Sequence, residues 1–137
     1  MKSIVDIHVG TSDIDIMNHV NNTVIVKYLE YGRTDFYQKA GFSINDFLNR
    51  EIGRTIVNLK INYHKEILVG ENLLVHTYPI DYGRSSIRFR QEVHNSKDEK
   101  ICDAVVTAVI FDLRERRSIP IPEELLRHIK ACLGTEP

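Results

Sequence analysis

Apolar residues recur at helical spacing between Thr23 and Lys39. The stripe that they form contains Ile25, Tyr28, Leu29, Gly32 and Phe36. The charged residues of the segment lie largely off that stripe, and they are Lys27, Glu30, Arg33 and Asp35. β-branched residues at positions 23–26 favour a strand by propensity, but the periodicity favours a helix. We follow the periodicity and predict one long helix, which Gly41 ends.

The other segments show strand alternation and turn residues. Val57, Leu59, Ile61 and Tyr63 alternate strictly with polar residues, as in a strand with one dry face. Further strands are predicted over 3–10, 73–80, 86–94 and 101–111, with turns at 69–72, 81–84 and 96–98. The segment 101–111 is apolar at most positions, which is typical of a central strand covered on both faces. Short helices are predicted over 43–49, capped by Ser43, and from Pro122 to about Leu133.

This order of elements predicts an α+β domain, with a sheet of five to six antiparallel strands curved around one long helix. At 137 residues with 42% hydrophobic content, the chain is expected to form a single domain over 1–137. One helix leaves a sheet edge and part of a face uncovered. A homodimer is therefore expected.

Charge and composition exclude several classes of protein. The chain has 18 basic and 19 acidic residues without long single-sign blocks, so nucleic acid is not an expected partner. Cys102 and Cys132 show no disulfide pattern, and both are expected to be reduced in a cytoplasmic protein. The N-terminus lacks the apolar core of a signal peptide, and no apolar run approaches the roughly 20 residues of a membrane span. We expect no membrane insertion.

An unusually polar segment precedes the long helix: positions 13–22 read DIDIMNHVNN. Asn21, Asn22 or Thr23 capping the helix would explain part of it without any function. The alternative is that the segment takes part in catalysis. The unpaired N–H groups at a helix N-terminus can hold an oxyanion, and Asp13 or Asp15 could then activate water or attack a bound carbonyl. His19, Asn18, Asn21 and Asn22 could orient these groups or the substrate.

The string D-x-D-x-x-N-H-V-N-N, followed by Y-L-E-Y-G-R in the helix, resembles the signature of hotdog-fold acyl-CoA thioesterases of the 4-hydroxybenzoyl-CoA thioesterase-like group. The similarity in order covers nearly the whole chain, including residues 63–71 as a strand end with a Gly-acidic turn. It implies a hotdog fold, cleavage of an acyl-CoA thioester without metal or cofactor, and dimers or tetramers with active sites at subunit interfaces. Asn18 departs from the usual glycine and Ile25 from the usual tyrosine.

The resemblance also implies site residues. Asp15 falls on the catalytic carboxylate, as nucleophile or as general base, and His19 and Asn22 complete the implied catalytic set. Backbone amides near 19–22 would polarise the thioester carbonyl. The implied substrate-binding residues are Asp13, Asn18, Asn21 and Glu30.

Other chemistries are less favoured by the residues. The six histidines have no metal-ligand spacing, so no metal is expected. There is no G-x-S-x-G elbow of a serine hydrolase. Most basic positions are expected to face solvent, but Arg84, beside Ser85 in a turn, is the first choice to contact coenzyme A phosphates, and we include both as substrate-binding residues.

Two alternatives to an acyl-CoA thioesterase remain open. The first is a non-catalytic protein that binds acyl-CoA through the polar loop. The second is a thioesterase that takes its acyl group from acyl carrier protein, although a carrier requires a basic docking surface and this chain has a net charge of -1.

Overall fold

The computed structural model describes residues 3–13 and 22–134. The helices are α1 (Asn22–Lys39), α2 (Ile44–Asn49) and α3 (Glu123–Leu133). The strands are β1 (Ser3–His8), β2 (Ile52–Tyr63), β3 (Asn72–Tyr82), β4 (Ser86–Asn95), β5 (Lys100–Asp112) and β6 (Arg117–Ser118). Every predicted helix and strand is confirmed, and the two-residue β6 was not predicted.

The strands form one antiparallel sheet in the order β1-β3-β4-β5-β2, with β6 paired to β5. Helix α1 packs against β1 and β3 on one face of this sheet. The prediction of an α+β hotdog fold, with five to six antiparallel strands around one long helix, is confirmed. No helix in the described part of the chain is long and apolar enough to cross a membrane.

The predicted stripe of α1 forms the core. Ile25, Tyr28, Leu29 and Phe36 are buried, and the Phe36 ring meets that of Phe89 on β4 edge to face at 5.1 Å. Gly32 lets the helix approach the sheet closely. A Cβ atom at this position would lie 2.5 Å from Thr77 Oγ1 and 2.8 Å from a methyl group of Val75.

The sequence placed Arg33 off the buried stripe, and this was wrong. Its side chain is only 7% exposed, and its Nη1 donates a hydrogen bond of 2.9 Å to Gln91 Oε1. Gln91, fully buried on β4, in turn donates from Nε2 to Leu29 O and Thr77 Oγ1, both at 2.8 Å. The side-chain amide therefore satisfies part of the guanidinium, which makes its burial tolerable.

The predicted dry face of β2 is also wrong for the single chain. Val57, Leu59 and Tyr63 are 59%, 38% and 45% exposed, because β2 is an edge strand that pairs, among residues 3–13 and 22–134, only with β5. A register shift between Ile56 and Asn58 marks a β-bulge that strict alternation does not anticipate. The bulge places Ile56 on the same face as Leu59, since their β5 partners, Ala108 and Val106, are both buried in the core.

The predicted cap of α2 and the predicted central position of β5 agree with the structure, but the predicted cover on both faces of β5 is wrong for the single chain. Ser43 caps α2 through a capping box, in which its Oγ accepts from Asp46 N at 3.1 Å and Asp46 Oδ2 accepts from Ser43 N at 2.8 Å. β5 is central, between β4 and β2. Only one of its faces is fully buried, because alternate residues such as Val105 and Val109 remain half-buried.

Candidate active site

The polar segment connects β1 to α1, as the sequence predicts. A 3-10 turn over Thr11–Asp13 leads into the segment, and α1 begins at its last residue, Asn22. Asp15, Asn18, His19 and Asn21 lie outside the described residues. The roles assigned to them therefore stay predictions.

Asp13 ties the end of β1 to the second turn of α1. Its Oδ2 accepts hydrogen bonds from the backbone N–H of Gly10 at 3.2 Å and from the hydroxyl of Tyr28 at 2.8 Å. Tyr28 is 2% exposed, and burial together with the Asp13 carboxylate raises the pKa of its hydroxyl, which therefore stays protonated and donates. Asp13 thus anchors the loop, and its predicted substrate contact stays a prediction.

A cleft of about 300 Å³ lies between the start of α1 and the end of β2. Asn22 and Ile25 line it from the helix, and the residues at positions 63–67 line it from the strand end and the segment that follows. The cleft thus borders the helix terminus at which the polar loop arrives. The free N–H groups of a first helical turn and the helix dipole favour a negatively charged group here.

The sequence did not identify His64 as a site residue. Its Nε2 lies 2.7 Å from Asp103 Oδ2 on β5, and Asn62 Nδ2 donates to Asp103 Oδ1 at 3.1 Å. These hydrogen bonds, from His64 first and then from Asn62, hold the pKa of Asp103 below its usual range. An oriented imidazole therefore lines the cleft.

Lys65 is exposed, as the sequence predicts, and it also lines the cleft. Its Nζ pairs with Glu99. The backbone N–H groups of His64 and Lys65 both donate to Ile101 O, at 2.8 and 3.2 Å, which fixes this segment to β5. Both residues belong to the segment 63–71 that resembles the family signature, but the linear pattern does not show that this segment lies beside the start of α1.

The other predicted site residues lie elsewhere in the chain. Glu30 is two helical turns beyond Asn22, about 12 Å along the axis, and lines a separate cavity. Arg84 and Ser85 form the β3–β4 turn, where Arg84 Nη1 donates to Ser85 Oγ at 3.3 Å. That turn is about 23 Å from the cleft, because seven residues of extended β5 separate the two. Within one chain the structure does not bring Arg84 to the cleft.

The described residues offer two kinds of chemistry at the cleft. The backbone N–H groups at the start of α1 and the Lys65 ammonium group can bind an anion, and the His64 imidazole can form a hydrogen bond. No group of three or more His, Cys, Asp or Glu side chains suited to a metal ion occurs among residues 3–13 and 22–134.

Comparison with known proteins agrees with this architecture. The hotdog fold, with a cleft at the start of its long helix, places the chain in the class of hotdog-fold proteins. The model of the thioesterase-like superfamily matches residues 9–129, and the chain belongs to that family. The chain is a thioester hydrolase of this superfamily, which confirms the predicted family and enzyme class.

Three similar proteins illustrate the relationship. The long-chain acyl-CoA thioesterase FadM of Escherichia coli is 26% identical over 114 residues, 82% of this chain and 85% of the relative. A thioesterase from Thermus thermophilus, solved in complex with coenzyme A and Zn, is 27% identical with a TM-score of 0.79, covering 98% of this chain and 95% of the other. The protein SAV2348 from Staphylococcus aureus, solved in complex with CoA, has a TM-score of 0.92 at 18% identity, covering 100% and 87%, and it shows the shared fold.

Proposed function

We propose that this protein hydrolyses a fatty or aromatic acyl-coenzyme A to the free acid and coenzyme A, as one hotdog domain over residues 1–137. The observation that carries the proposal is the cleft of about 300 Å³ beside the first residue of α1 in a chain of the thioesterase-like superfamily. The relatives named above support the acyl-CoA substrate, since one is a long-chain acyl-CoA thioesterase and another was solved with coenzyme A.

In the proposed reaction, the thioester carbonyl oxygen lies against the backbone N–H groups that begin α1, which stabilise the charge that develops on it. The Asp15 carboxylate either takes a proton from water that attacks the carbonyl carbon, or attacks that carbon itself to form an anhydride that water then hydrolyses. In both routes the C–S bond breaks and coenzyme A leaves as its thiol.

Other residues around the cleft and the polar loop have supporting roles in this proposal. Asp13 holds the loop through Gly10 and Tyr28, so that Asp15 stays two residues from a fixed point. Lys65 and His64 border the cleft and can meet polar groups of the substrate. His19, Asn18, Asn21 and Asn22 keep their predicted roles in orienting the substrate or Asp15.

The homo-oligomer predicted from the sequence is part of the proposal. β2 presents a free edge of 12 residues with exposed apolar side chains at Ile56, Val57 and Leu59. An uncovered edge of this length is a ready surface for a second copy. A second copy would also bring its own Arg84 and Ser85, which lie far from the cleft within one chain. The two free cysteines, Cys102 and Cys132, agree with the predicted cytoplasmic location.

The test is a panel of short, medium and long aliphatic acyl-CoAs with benzoyl-CoA, in which release of the coenzyme A thiol is measured. Turnover of at least one member is expected. Binding by calorimetry without turnover of any member would instead indicate the acyl-CoA binder, and neither binding nor turnover would contradict both. Assaying the best acyl group on acyl carrier protein as well separates the two carriers, and preferential turnover of acyl-CoA is expected.

A further inference from the structure

A second cavity lies farther along the groove between α1 and β2. Its volume is about 60 Å³, and its lining includes Glu30, Arg33 and Tyr37 from the helix with Arg54 and Ile56 from the strand. It is separate from the cleft beside Asn22, and the proposed hydrolysis does not involve it.

Two guanidinium groups dominate this cavity. Arg54 stacks on the Tyr37 ring at 4.3 Å and on the Phe47 ring at 4.9 Å, and its Nη2 donates to Thr34 Oγ1 at 3.1 Å. Arg33 donates to the neutral amide of Gln91. Among residues 3–13 and 22–134, neither guanidinium has a carboxylate at ion-pair distance. The two guanidinium groups therefore share a small cavity with the Glu30 carboxylate, which acts on both of them from beyond ion-pair distance.

Two polar side-chain atoms at this cavity have no hydrogen-bond partner among the described residues. The Tyr37 hydroxyl and Arg54 Nη1 are both buried without a hydrogen bond in the described structure, and Tyr37 is 1% exposed. Buried donors of this kind are rare in folded proteins, so each requires a physical reason. Burial raises the pKa of Tyr37 to about 12, so its hydroxyl keeps its proton and is a donor at neutral pH.

The pKa shifts of the two arginines also favour an anion at this cavity. Burial is the main effect that lowers the pKa of both Arg33 and Arg54, and the Glu30 carboxylate opposes this shift without cancelling it. An anion in direct contact with the two guanidinium groups would offset the remaining cost of burying their charge. Both groups remain charged, because arginine keeps its proton in proteins.

We propose that this cavity binds a carboxylate, supplied either by a small free acid or by an acidic side chain of a second copy of the chain. Its volume is that of about two waters, at ~30 Å³ each, which is enough for one carboxylate group. The Arg54 and Arg33 guanidinium groups supply the planar, charged donors that carboxylates prefer, and the Tyr37 hydroxyl supplies a further donor. Ile56 offers an apolar wall to the attached carbon.

The test compares thermal unfolding midpoints in sodium acetate and in sodium chloride at equal ionic strength. A carboxylate that binds only the folded state raises the midpoint, and above its Kd the stabilisation grows with the logarithm of its concentration. At protein concentrations at which the chain does not self-associate, the wild type is expected to show this acetate-dependent rise, and Tyr37→Phe and Arg54→Gln are expected to reduce or abolish it. Arg127→Gln, which changes an exposed arginine on α3, is the matched control and should keep the full response.

Tyr37→Phe keeps the variant series interpretable even if an arginine variant fails to fold. Because the hydroxyl has no partner in the described residues, Tyr37→Phe should be at least as stable as wild type in chloride at protein concentrations at which the chain does not self-associate. A lower midpoint under those conditions would contradict the account of the cavity.

Sedimentation velocity in the two salts identifies the source of the carboxylate. If a second copy supplies it, acetate competes for the cavity and lowers self-association, and Arg54→Gln does the same. If a small acid supplies it, acetate raises the midpoint while self-association stays unchanged. Equal midpoints in both salts, together with self-association that neither acetate nor the variants alter, would overturn the proposal.

Discussion

The polar segment DIDIMNHVNN contains more polar side chains than one helix cap requires, and its first aspartate has a structural use. Asp13 Oδ2 joins the backbone of Gly10 to the hydroxyl of Tyr28, so this carboxylate links β1 to α1. In the proposed reaction, Asp15 is the carboxylate of the pair that acts on the thioester. The two residues can be separated experimentally.

Asp13→Asn is expected to lower the free energy of unfolding by about 1–2 kcal/mol, since it weakens a hydrogen bond to a charged group. Tyr28→Phe removes the donor of the same bond and should cost a similar amount. Urea denaturation of both single variants and the double variant measures the coupling between them. Strictly additive losses would show that the Asp13–Tyr28 bond makes no energetic contribution.

Asp103 gives a prediction about pH. Its pKa is lowered in the folded state, so its contribution to stability is fully present above the unfolded value of about 3.9 and is lost as pH falls through the folded value. Asp103→Asn should therefore be less stable than wild type at pH 6, and the difference should shrink as the pH falls below the unfolded value. Urea midpoints measured between pH 2.5 and 7 test this.

Asp6→Asn is the control for that titration, because this side chain is exposed on β1. It should follow the wild type at every pH. A stability difference for Asp103→Asn that persists unchanged at pH 2.5 would mean that the hydrogen bonds from His64 and Asn62 do not act through the ionised carboxylate.

Among the secondary-structure elements, α1 depends on one glycine for its contact with the sheet. Gly32→Ala would add a Cβ atom 2.5 Å from Thr77 Oγ1 and 2.9 Å from Gln91 Nε2. Although alanine has the higher helix propensity, overpacking should dominate, and we expect a loss of about 1–3 kcal/mol in the free energy of unfolding. Chemical denaturation measures it, with the exposed Gln38→Ala as a control expected within about 0.5 kcal/mol of wild type. A stabilised Gly32→Ala variant would contradict the close packing.

The sequence was sufficient to predict the order and type of the elements, because hydrophobic periodicity reports which face of each element is buried. Arg33 was misplaced since periodicity does not reveal a buried partner such as Gln91, 58 residues away. The bulge at Val57 was missed because it reverses the alternation within one strand. β6 has two residues, too few to show a pattern.

For the molecule as a whole, the free edge of β2 is the surface through which we propose that copies of the chain associate. If copies associate through this edge, Val57→Lys should reduce the mass observed by sedimentation velocity to that of a monomer, because lysine on an edge strand opposes strand pairing. Ile44→Lys on α2 changes a side chain of nearly equal exposure, 57% against 59%, and should leave the assembly intact. An unchanged assembly in Val57→Lys would place the interface elsewhere.

The candidate site was only partly predictable from the sequence. The polar loop, Asp13 and Asn22 could be identified from their order before the helix. His64 and Lys65 could not be assigned to the site, because they reach the cleft through pairing of β2 with β5, which a linear pattern does not show. Arg84 and Ser85 were chosen by residue type and turn chemistry, and only a second copy could bring them to a cleft.

The most direct test of the central claim is the rate of thiol release from the best acyl-CoA substrate by Asp15→Asn. The account predicts a loss of about 10²–10⁴-fold in kcat, with unchanged thermal stability, because a carboxylate that activates water or attacks the thioester would be missing. Asp98→Asn, an equivalent change at an exposed site, should retain wild-type turnover. A folded Asp15→Asn variant that hydrolyses the substrate at the wild-type rate would contradict the account.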